Sequence, residues 1–122
     1  MAEGIARRLS RGRVDASSAG IFPASIIQPQ TFQVMEESGM PLDPEQVPRS
    51  ILRVDGGEID LMVNMSGQPA TVLLRNFRGR EIKWDVPDPV GMSIQVYRAV
   101  RDRIEKNVRS LIEQLESADG RR

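Results

Sequence analysis

The sequence contains no cysteine and no histidine. Without cysteine the chain can form no disulfide, no thiolate metal site and no covalent thiol intermediate. Without histidine it lacks the side chain that most often serves as a general base or metal ligand near neutral pH. Chemistry carried by this chain must therefore come from carboxylates, hydroxyls, lysine, arginine or backbone groups. We expect no metal ion and no cofactor.

Net charge and long apolar runs are missing as well. The 17 basic and 17 acidic residues cancel, so the chain as a whole has no charge that would attract nucleic acid or an anionic membrane. No apolar run is long enough to span a bilayer. The first residues also lack the apolar stretch and cleavage site of a secretory signal. We expect a cytoplasmic protein with no nucleic-acid or membrane partner.

One local basic cluster, formed by Arg7, Arg8, Arg11 and Arg13, departs from this balance. Nucleic-acid surfaces of this kind usually interleave aromatic side chains that stack on bases. Aromatic residues make up only 4% of the sequence, and none lies in the cluster. We interpret the cluster as a solvated helix end and loop.

Length and composition indicate one ordinary globular domain. The chain has 122 residues, of which 39% are hydrophobic and 28% charged, and the mean hydropathy is −0.35. We assign residues 1–117 to a single domain and residues 118–122 to a disordered tail. The oligomeric state cannot be inferred from these features.

Apolar periodicity and turn residues predict the order helix, strand, helix, strand, strand, helix. This order is typical of an α/β domain with a small, mostly parallel sheet flanked by helices. Residues 70–74 fit either a strand or a helix. The predicted helices span 1–9, 29–38 and 93–117, with one helical turn at 44–47, and the predicted strands span 14–18, 59–65 and 81–86.

The last helix has the clearest pattern. Apolar residues recur at steps of three and four, which predicts a helix with one face packed on a core. Two acid-first pairs four residues apart, Asp102 with Lys106 and Glu105 with Arg109, would support it. The apolar positions are Ile94, Tyr97, Val100, Ile104, Val108, Leu111 and Leu115.

The segment Trp84-Asp85-Val86-Pro87-Asp88-Pro89 is the one candidate for chemistry. It holds two acids at the carboxyl end of a predicted strand, where ligands of open α/β sheets bind. Two prolines restrict its backbone, so a carboxyl group there could protonate a leaving group. Asp-Pro and Pro-Asp are also ordinary turn formers, and spacing alone favours that structural explanation.

Several segments, in order, resemble the low-molecular-weight protein tyrosine phosphatases and thioredoxin-type arsenate reductases. Met1-Ala2-Glu3-Gly4 is similar to the start of that family's first helix, which follows a Cys-x5-Arg-Ser/Thr loop. Trp84 to Pro89 resembles its general-acid loop. Further similar segments are Ser18-Ala19-Gly20, Glu36 to Met40, Arg49-Ser50, Ile59 to Met65 and Tyr97 to Leu115.

The resemblance implies a reaction. A cysteine thiolate attacks phosphorus while loop amides and an arginine hold the phosphate oxygens at a helix N-terminus. An aspartate, which by position is Asp88 with Pro89 beside it, protonates the departing oxygen. Asp85 is the less favoured candidate for this role. The implied substrates are phosphorylated proteins or small phosphate esters, and no residue of the chain is assigned to binding them.

The sequence departs from the family pattern at the reactive centre. It has neither the nucleophilic cysteine nor the Cys-x5-Arg loop, and the first, central strand of the family is also missing. We therefore expect the chain itself to be inactive, and we hypothesise that Met1 is an internal methionine taken as the start or that the gene is truncated. The alternatives are a non-catalytic pseudophosphatase that serves as an interaction module, or an arsenate reductase-like parent. Val90-Gly91 replaces the aromatic pair of the phosphatases, and the resolving cysteines of the reductases are absent.

Overall fold

A computed structural model describes residues 1–21, 26–69 and 74–119, which fall into two compact units. One unit holds residues 1–17, 27–46 and the chain from Pro87 onward, and the other holds residues 18–26 and 47–86. The predicted α/β class, with a small parallel sheet and helices, is confirmed. The elements are α1 (Ala2–Ser10), α2 (Pro29–Glu37), β1 (Leu61–Asn64), β2 (Arg80–Lys83) and α3 (Ile94–Asp119).

The first unit is organised by α3, which packs against both α1 and α2. Its buried face follows a repeat of three or four residues, as an amphipathic helix requires. Complete burial of a large apolar side chain is worth about 1.5–3 kcal/mol, so this face supplies much of the unit's stability. The buried apolar residues of the unit are Ile5, Val34, Met35, Met40, Tyr97, Val100, Ile104, Val108 and Ile112.

The two ends of α2 follow from its flanking residues. Pro29 occupies the first helical position, where its missing N–H costs no hydrogen bond. Gly39 follows the helix with φ 75°, a left-handed conformation that glycine adopts without strain. Its N–H donates to the Glu36 carbonyl and the Met40 N–H to the Met35 carbonyl, both at 3.0 Å. This paired arrangement buries Met40 and Met35 beside the helix end.

An ion-pair cluster joins the end of α2 to α3. The Glu37 carboxylate accepts hydrogen bonds from Arg98 at 2.9 and 2.8 Å and from Arg101 at 3.3 Å. Arg101 also donates to the Val34 carbonyl at 2.9 Å, which satisfies a carbonyl in the last turn of α2. The bonds from Arg98 lower the pKa of Glu37 to about 2.

The second unit contains the sheet, in which β1 and β2 pair in parallel with Leu61 opposite Arg80 and Asn64 opposite Lys83. Two short 3₁₀-helices, Ile51–Arg53 and Gly56–Glu58, precede it. Ser50 and Asp55 cap them by accepting backbone N–H bonds at 3.2 and 2.9 Å. The core of this unit is small, with Ile51 and Leu74 buried and Ile21, Val54, Met62 and Phe77 partly buried against them.

A close backbone approach in the second unit requires glycine at position 56. The Gly56 N–H donates to the Arg75 carbonyl at 2.6 Å. A methyl group on Gly56 would collide with that carbonyl and lie 2.8 Å from the Phe77 nitrogen. The adjacent Gly57 is exposed, and a methyl group there would lie 3.2 Å from a side-chain oxygen of Asp55.

Several predicted elements are wrong or misplaced. Residues 14–18 form no strand, because no described strand lies beside them to complete a ladder. Just beyond them, Gly20 forms an isolated bridge with Ser50. The predicted strand 81–86 ends at Lys83, before the prolines that remove backbone donors. The predicted strand 59–65 is confirmed in type but spans only Leu61–Asn64. The predicted helical turn at residues 44–47 does not form, since residues 44 and 45 make a turn and residues 46 and 47 are irregular. Residues 70–73 of the ambiguous segment lie outside the described residues.

The predicted last helix is confirmed, with differences in detail. It runs from Ile94 to Asp119 instead of ending at residue 117. Ile112 is buried and Leu111 only partly, because the buried face advances in steps of four after Val100. The pair Glu105–Arg109 forms at 3.5 Å, whereas Asp102 accepts a hydrogen bond from the adjacent Arg101 at 2.9 Å. No helix in the described ranges has the length and apolarity needed to cross a bilayer.

Replacing Gly56 with alanine should destabilise the second unit, because the new methyl group has backbone atoms as its neighbours and these cannot turn away. We expect Gly56→Ala to lower the free energy of unfolding by about 1–3 kcal/mol, the usual cost of overpacking. Gly57→Ala is the matched control and should change it by less than about 1 kcal/mol. Urea unfolding followed by Trp84 fluorescence measures both; equal losses would contradict the steric argument.

The Glu37 cluster should make stability depend on pH in the acid range. The pKa of Glu37 is about 2 in the folded chain and 4.5 in the unfolded chain. The ionised Glu37 carboxylate therefore stabilises the fold fully above pH 4.5, and this stabilisation is lost as the pH falls through about 2. We expect Glu37→Gln to lower the melting temperature by a few degrees at pH 6 and to match the unsubstituted chain near pH 2. Thermal melts across this range, with the exposed neighbour substituted as Glu36→Gln for control, measure the effect. A difference that does not depend on pH would contradict it.

Candidate functional site

The loop between β2 and α3 holds the predicted acid, Asp88. Its carboxylate accepts a hydrogen bond from the Val90 N–H at 3.1 Å, which closes a small turn around Pro89. The Met92 N–H donates to the Pro89 carbonyl at 2.9 Å, and Gly91 turns the chain with φ 79°. These local bonds fix the backbone that carries Asp88 immediately ahead of α3.

The Asp88 side chain is exposed. Among the residues that the structure describes, Asp88 forms no ion pair, and one of its two carboxylate oxygens accepts a hydrogen bond. A carboxyl group placed in this way is accessible to a substrate and can exchange its proton with one. Asp85, the less favoured candidate, is also exposed and belongs to the other unit.

Acid groups in the described ranges form no metal site, since no group of three or more possible ligands comes together there. One surface cavity, of about 280 Å³, lies between α1 and residues 40–46. Its polar lining is internally paired: Arg8 donates to the Gly39 carbonyl at 2.7 Å, and Gln46 to Glu3 at 3.3 Å. Asp88 does not line this cavity, which therefore offers no access to the predicted acid.

The basic cluster near α1 is partly structural. Arg7 donates to the Ala16 carbonyl at 3.0 Å, and Arg13 donates to the Ser10 carbonyl at 3.2 Å and pairs with Glu116 of α3. These guanidinium groups satisfy carbonyls around the end of α1. All four arginines are exposed, in agreement with a solvated helix end and loop.

A polar cluster at the carboxyl end of β1 is absent from the sequence-based prediction. Asn64 is only 6% exposed, and its amide donates to the Gln68 carbonyl at 2.7 Å and to Glu81 at 3.2 Å. Its carbonyl oxygen accepts from the Ser66 N–H at 2.9 Å and from the Ser66 hydroxyl at 2.6 Å. Both donors and both lone pairs are thus used inside the cluster. This bonding indicates that Asn64 stabilises the end of the strand. In the sequence, the one feature that could have indicated this role is a polar residue near the end of an apolar run.

Helix α1 begins without a side-chain cap, with Met1 at its N-cap position and Glu3 in its first turn. The first-turn N–H groups of any α-helix lack intrahelical partners and can bind anions. Burial lowers the pKa of the Met1 amino group, and the nearby Glu3 opposes that shift. The segment that resembles the start of the family's first helix is helical from Ala2 onward.

A parallel sheet, three helices and a loop that carries an acid before the last helix define a small α/β protein. The model of the family described as low molecular weight phosphotyrosine protein phosphatase matches residues 1–120. The chain belongs to this family, and the resemblance inferred from its segments is confirmed. Its lack of cysteine distinguishes it from the family pattern described above.

Known proteins similar to the chain carry the name arsenate reductase. A glutaredoxin arsenate reductase from Synechocystis sp. (strain ATCC 27184 / PCC 6803 / Kazusa) is 29% identical over 117 residues, covering 92% of this chain and 85% of that protein. A solved arsenate reductase in the phosphate binding state has 27% identity and a TM-score of 0.79, with 93% and 86% of the two chains covered. A YwlE mutant from Bacillus subtilis, at 24% identity and a TM-score of 0.75, covers 94% and 88% and shows the same fold.

Removing the Asn64 side chain should weaken the second unit, because it leaves the Ser66 amide and hydroxyl and the Gln68 carbonyl without this partner. We expect Asn64→Ala to lower the free energy of unfolding by about 1–3 kcal/mol. Asn76→Gly, which removes one exposed bond of 3.4 Å to Asp55 at a position whose φ of 62° glycine adopts without strain, is the control and should cost less. Urea denaturation curves compare the two; equal or reversed costs would refute the bracing role.

Proposed function

We propose that the chain supplies the general-acid part of a phosphatase-family site, with Asp88 as the acid. The observation that carries this proposal is the Asp88 turn: the carboxyl group is exposed, and the Val90 N–H holds one of its oxygens at 3.1 Å. Pro87 and Pro89 flank it and limit the backbone movement that would misplace the proton. Membership of the phosphatase family supports the assignment by position.

In the proposed reaction a thiolate attacks the phosphorus of a phosphate monoester, and the bond to the ester oxygen breaks. Asp88, in its protonated form, gives its proton to the departing oxygen, which leaves as an alcohol or phenol. The resulting carboxylate then accepts a proton from water as that water attacks the phosphorus, which releases inorganic phosphate and restores the thiolate. The proposed substrates are phosphorylated proteins or small phosphate esters.

The thiolate in this scheme does not come from the 122 residues, since they include no cysteine. A serine or threonine hydroxyl needs an adjacent base to act as a nucleophile, and the chain lacks histidine, the commonest such base. We therefore propose that the chain on its own binds or positions substrate at most and turns none over. Activity requires the Cys-x5-Arg loop of the family.

Arsenate reduction is the second candidate for the complete site. It is supported by the names of the relatives, which are arsenate reductases at 26–29% identity. Phosphate ester hydrolysis and arsenate reduction both act on a tetrahedral oxyanion. They differ in the later steps, because arsenate reduction needs further thiols after the first thiolate attacks. Because this chain has no thiol at all, it cannot carry the later redox steps of such a reductase.

The chain should show no hydrolysis of p-nitrophenyl phosphate, and Asp88→Asn should not change this result. A fusion that places a family strand and Cys-x5-Arg loop ahead of Met1 should gain activity. In that fusion we expect Asp88→Asn to lower kcat by about 10²–10⁴-fold, the usual contribution of a general acid. Steady-state kinetics with this substrate measure the change.

The control in the fusion is Asp85→Asn, which should leave kcat within a few-fold of the parent. If Asp85→Asn causes the larger loss, the acid has been assigned to the wrong residue. Turnover by the chain without the fusion, at a rate that depends on Asp88, would overturn the proposal. A fusion that folds and remains inactive would favour a pseudophosphatase instead.

A further inference from the structure

All of the sulfur in the chain belongs to its six methionines, because there is no cysteine. Every one of these methionines lies among the residues that the structure describes. Thiolates are the sulfur groups that peroxides usually oxidise first, and here the thioethers are the sulfur groups that remain. Which thioether reacts then depends on how far each side chain is open to solvent.

The methionines differ widely in exposure. Met92 is 56% exposed, whereas Met35 is 0% and Met40 is 7% exposed. The other three, Met1, Met62 and Met65, are partly buried. Met92 is therefore the one methionine whose side chain lies mainly in solvent, where a small oxidant can reach the sulfur without any movement of the fold.

The loop around Met92 is fixed by backbone groups. The Met92 N–H donates to the Pro89 carbonyl at 2.9 Å. The next residue, Ser93, begins the bonding of α3, since its carbonyl accepts from the Val96 and Tyr97 N–H groups at 3.0 and 3.2 Å. None of these bonds uses the Met92 side chain. A change at its sulfur therefore leaves the turn and the start of the helix intact.

The two buried methionines of the same unit are in the opposite situation. The side chains of Met35 and Met40 belong to the core, and a methyl group placed on Gly4 would lie only 3.3 Å from the terminal carbon of Met35. An added oxygen there would be a buried polar atom in tightly packed surroundings. Oxidation at these positions must wait for local opening and should then disrupt the core.

We propose that Met92 is a reversible oxidation site, at which a peroxide converts the thioether to a sulfoxide while the chain stays folded. The sulfur attacks the outer oxygen of the peroxide, so that an S–O bond forms as the O–O bond breaks. The sulfur loses an electron pair, and the peroxide is reduced to an alcohol, or to water from hydrogen peroxide, which retains the proton. Methionine sulfoxide reductases reverse the step, one enzyme for each sulfoxide epimer.

Oxidation of Met92 would change the surface of the loop that carries Asp88. Val90 and Met92 are the exposed apolar side chains of this loop, at 57% and 56%. The sulfoxide makes one of them polar and adds a hydrogen-bond acceptor. The Asp88 turn itself is closed by the Val90 N–H and does not involve the Met92 side chain. The inference rests on exposure and sulfur chemistry and is independent of the proposed catalytic role.

Titration of the intact chain with hydrogen peroxide, followed by trypsin digestion and mass spectrometry, tests the proposal. Cleavage after Lys83 and Arg98 releases residues 84–98, which contain Met92 and no other methionine. We expect Met92 to be oxidised at least about tenfold faster than Met35 and Met40, which react only through opening. The chain oxidised at Met92 alone should melt within about 2 °C of the unmodified chain, as for an ordinary surface substitution.

Met92→Leu, which keeps the size of the side chain, should remove the fastest reaction and leave the other five rates unchanged. Met62→Leu is the matched control and should retain that reaction. Treatment with both sulfoxide reductases should restore the unmodified mass of the peptide. Oxidation of Met35 or Met40 at the rate of Met92 would overturn the proposal. So would a sulfoxide at Met92 that unfolds the chain or that neither reductase removes.

Discussion

The buried face of α3 is the constraint on which the first unit depends. α1 and α2 are each only nine residues long, which is too short to be stable as an isolated helix in water. Both pack on α3. Their most buried side chains, Ile5, Val34 and Met35, belong to the buried core of this unit, as does Tyr97 of α3. Apolar packing does not by itself fix the orientation of α2 on α3. The hydrogen bond from Arg101 to the Val34 carbonyl and the ion pairs of Glu37 fix that orientation. Loss of the apolar face would therefore remove the support of all three helices together.

Elements whose ends or positions depend on nearby residues were predicted correctly from the sequence. Elements whose formation depends on pairing with distant residues were not. The ends of α2 follow from Pro29 and Gly39, and the position of α3 follows from its own periodicity, so both were predictable. Residues 14–18 have strand-like composition, but a strand exists only with a neighbour, and none of the described strands pairs with them. The burial of Ile112 in place of the predicted Leu111 has a similar origin. Steps of three and of four residues from Val108 both fit a helical period, and only packing in the folded chain selects between them.

In the candidate site, too, local features could be predicted from the sequence and features that depend on distant residues could not. The Asp88 turn is held by bonds within a few residues, and Asp-Pro is a turn signal, so its geometry was open to sequence reasoning. The Asn64 cluster depends on Glu81, seventeen residues away, and forms only because β1 and β2 pair in one register. An asparagine at the end of an apolar run does not reveal which donors and acceptors will surround it. Its role as a brace therefore had to come from the structure.

The absence of cysteine separates the scaffold from the reaction in this protein. Helices, sheet and acid loop are assembled by packing and hydrogen bonds that involve no thiol, so the family fold can persist in a chain without the nucleophile. A general acid contributes to the rate only when bond cleavage places negative charge on a leaving oxygen, and that charge arises only after a nucleophile attacks. In the proposed reaction Asp88 serves the second event, and the thiol needed for the first is not among the 122 residues. Under this proposal, turnover depends on supplying the nucleophile, and the geometry of the acid loop does not have to change.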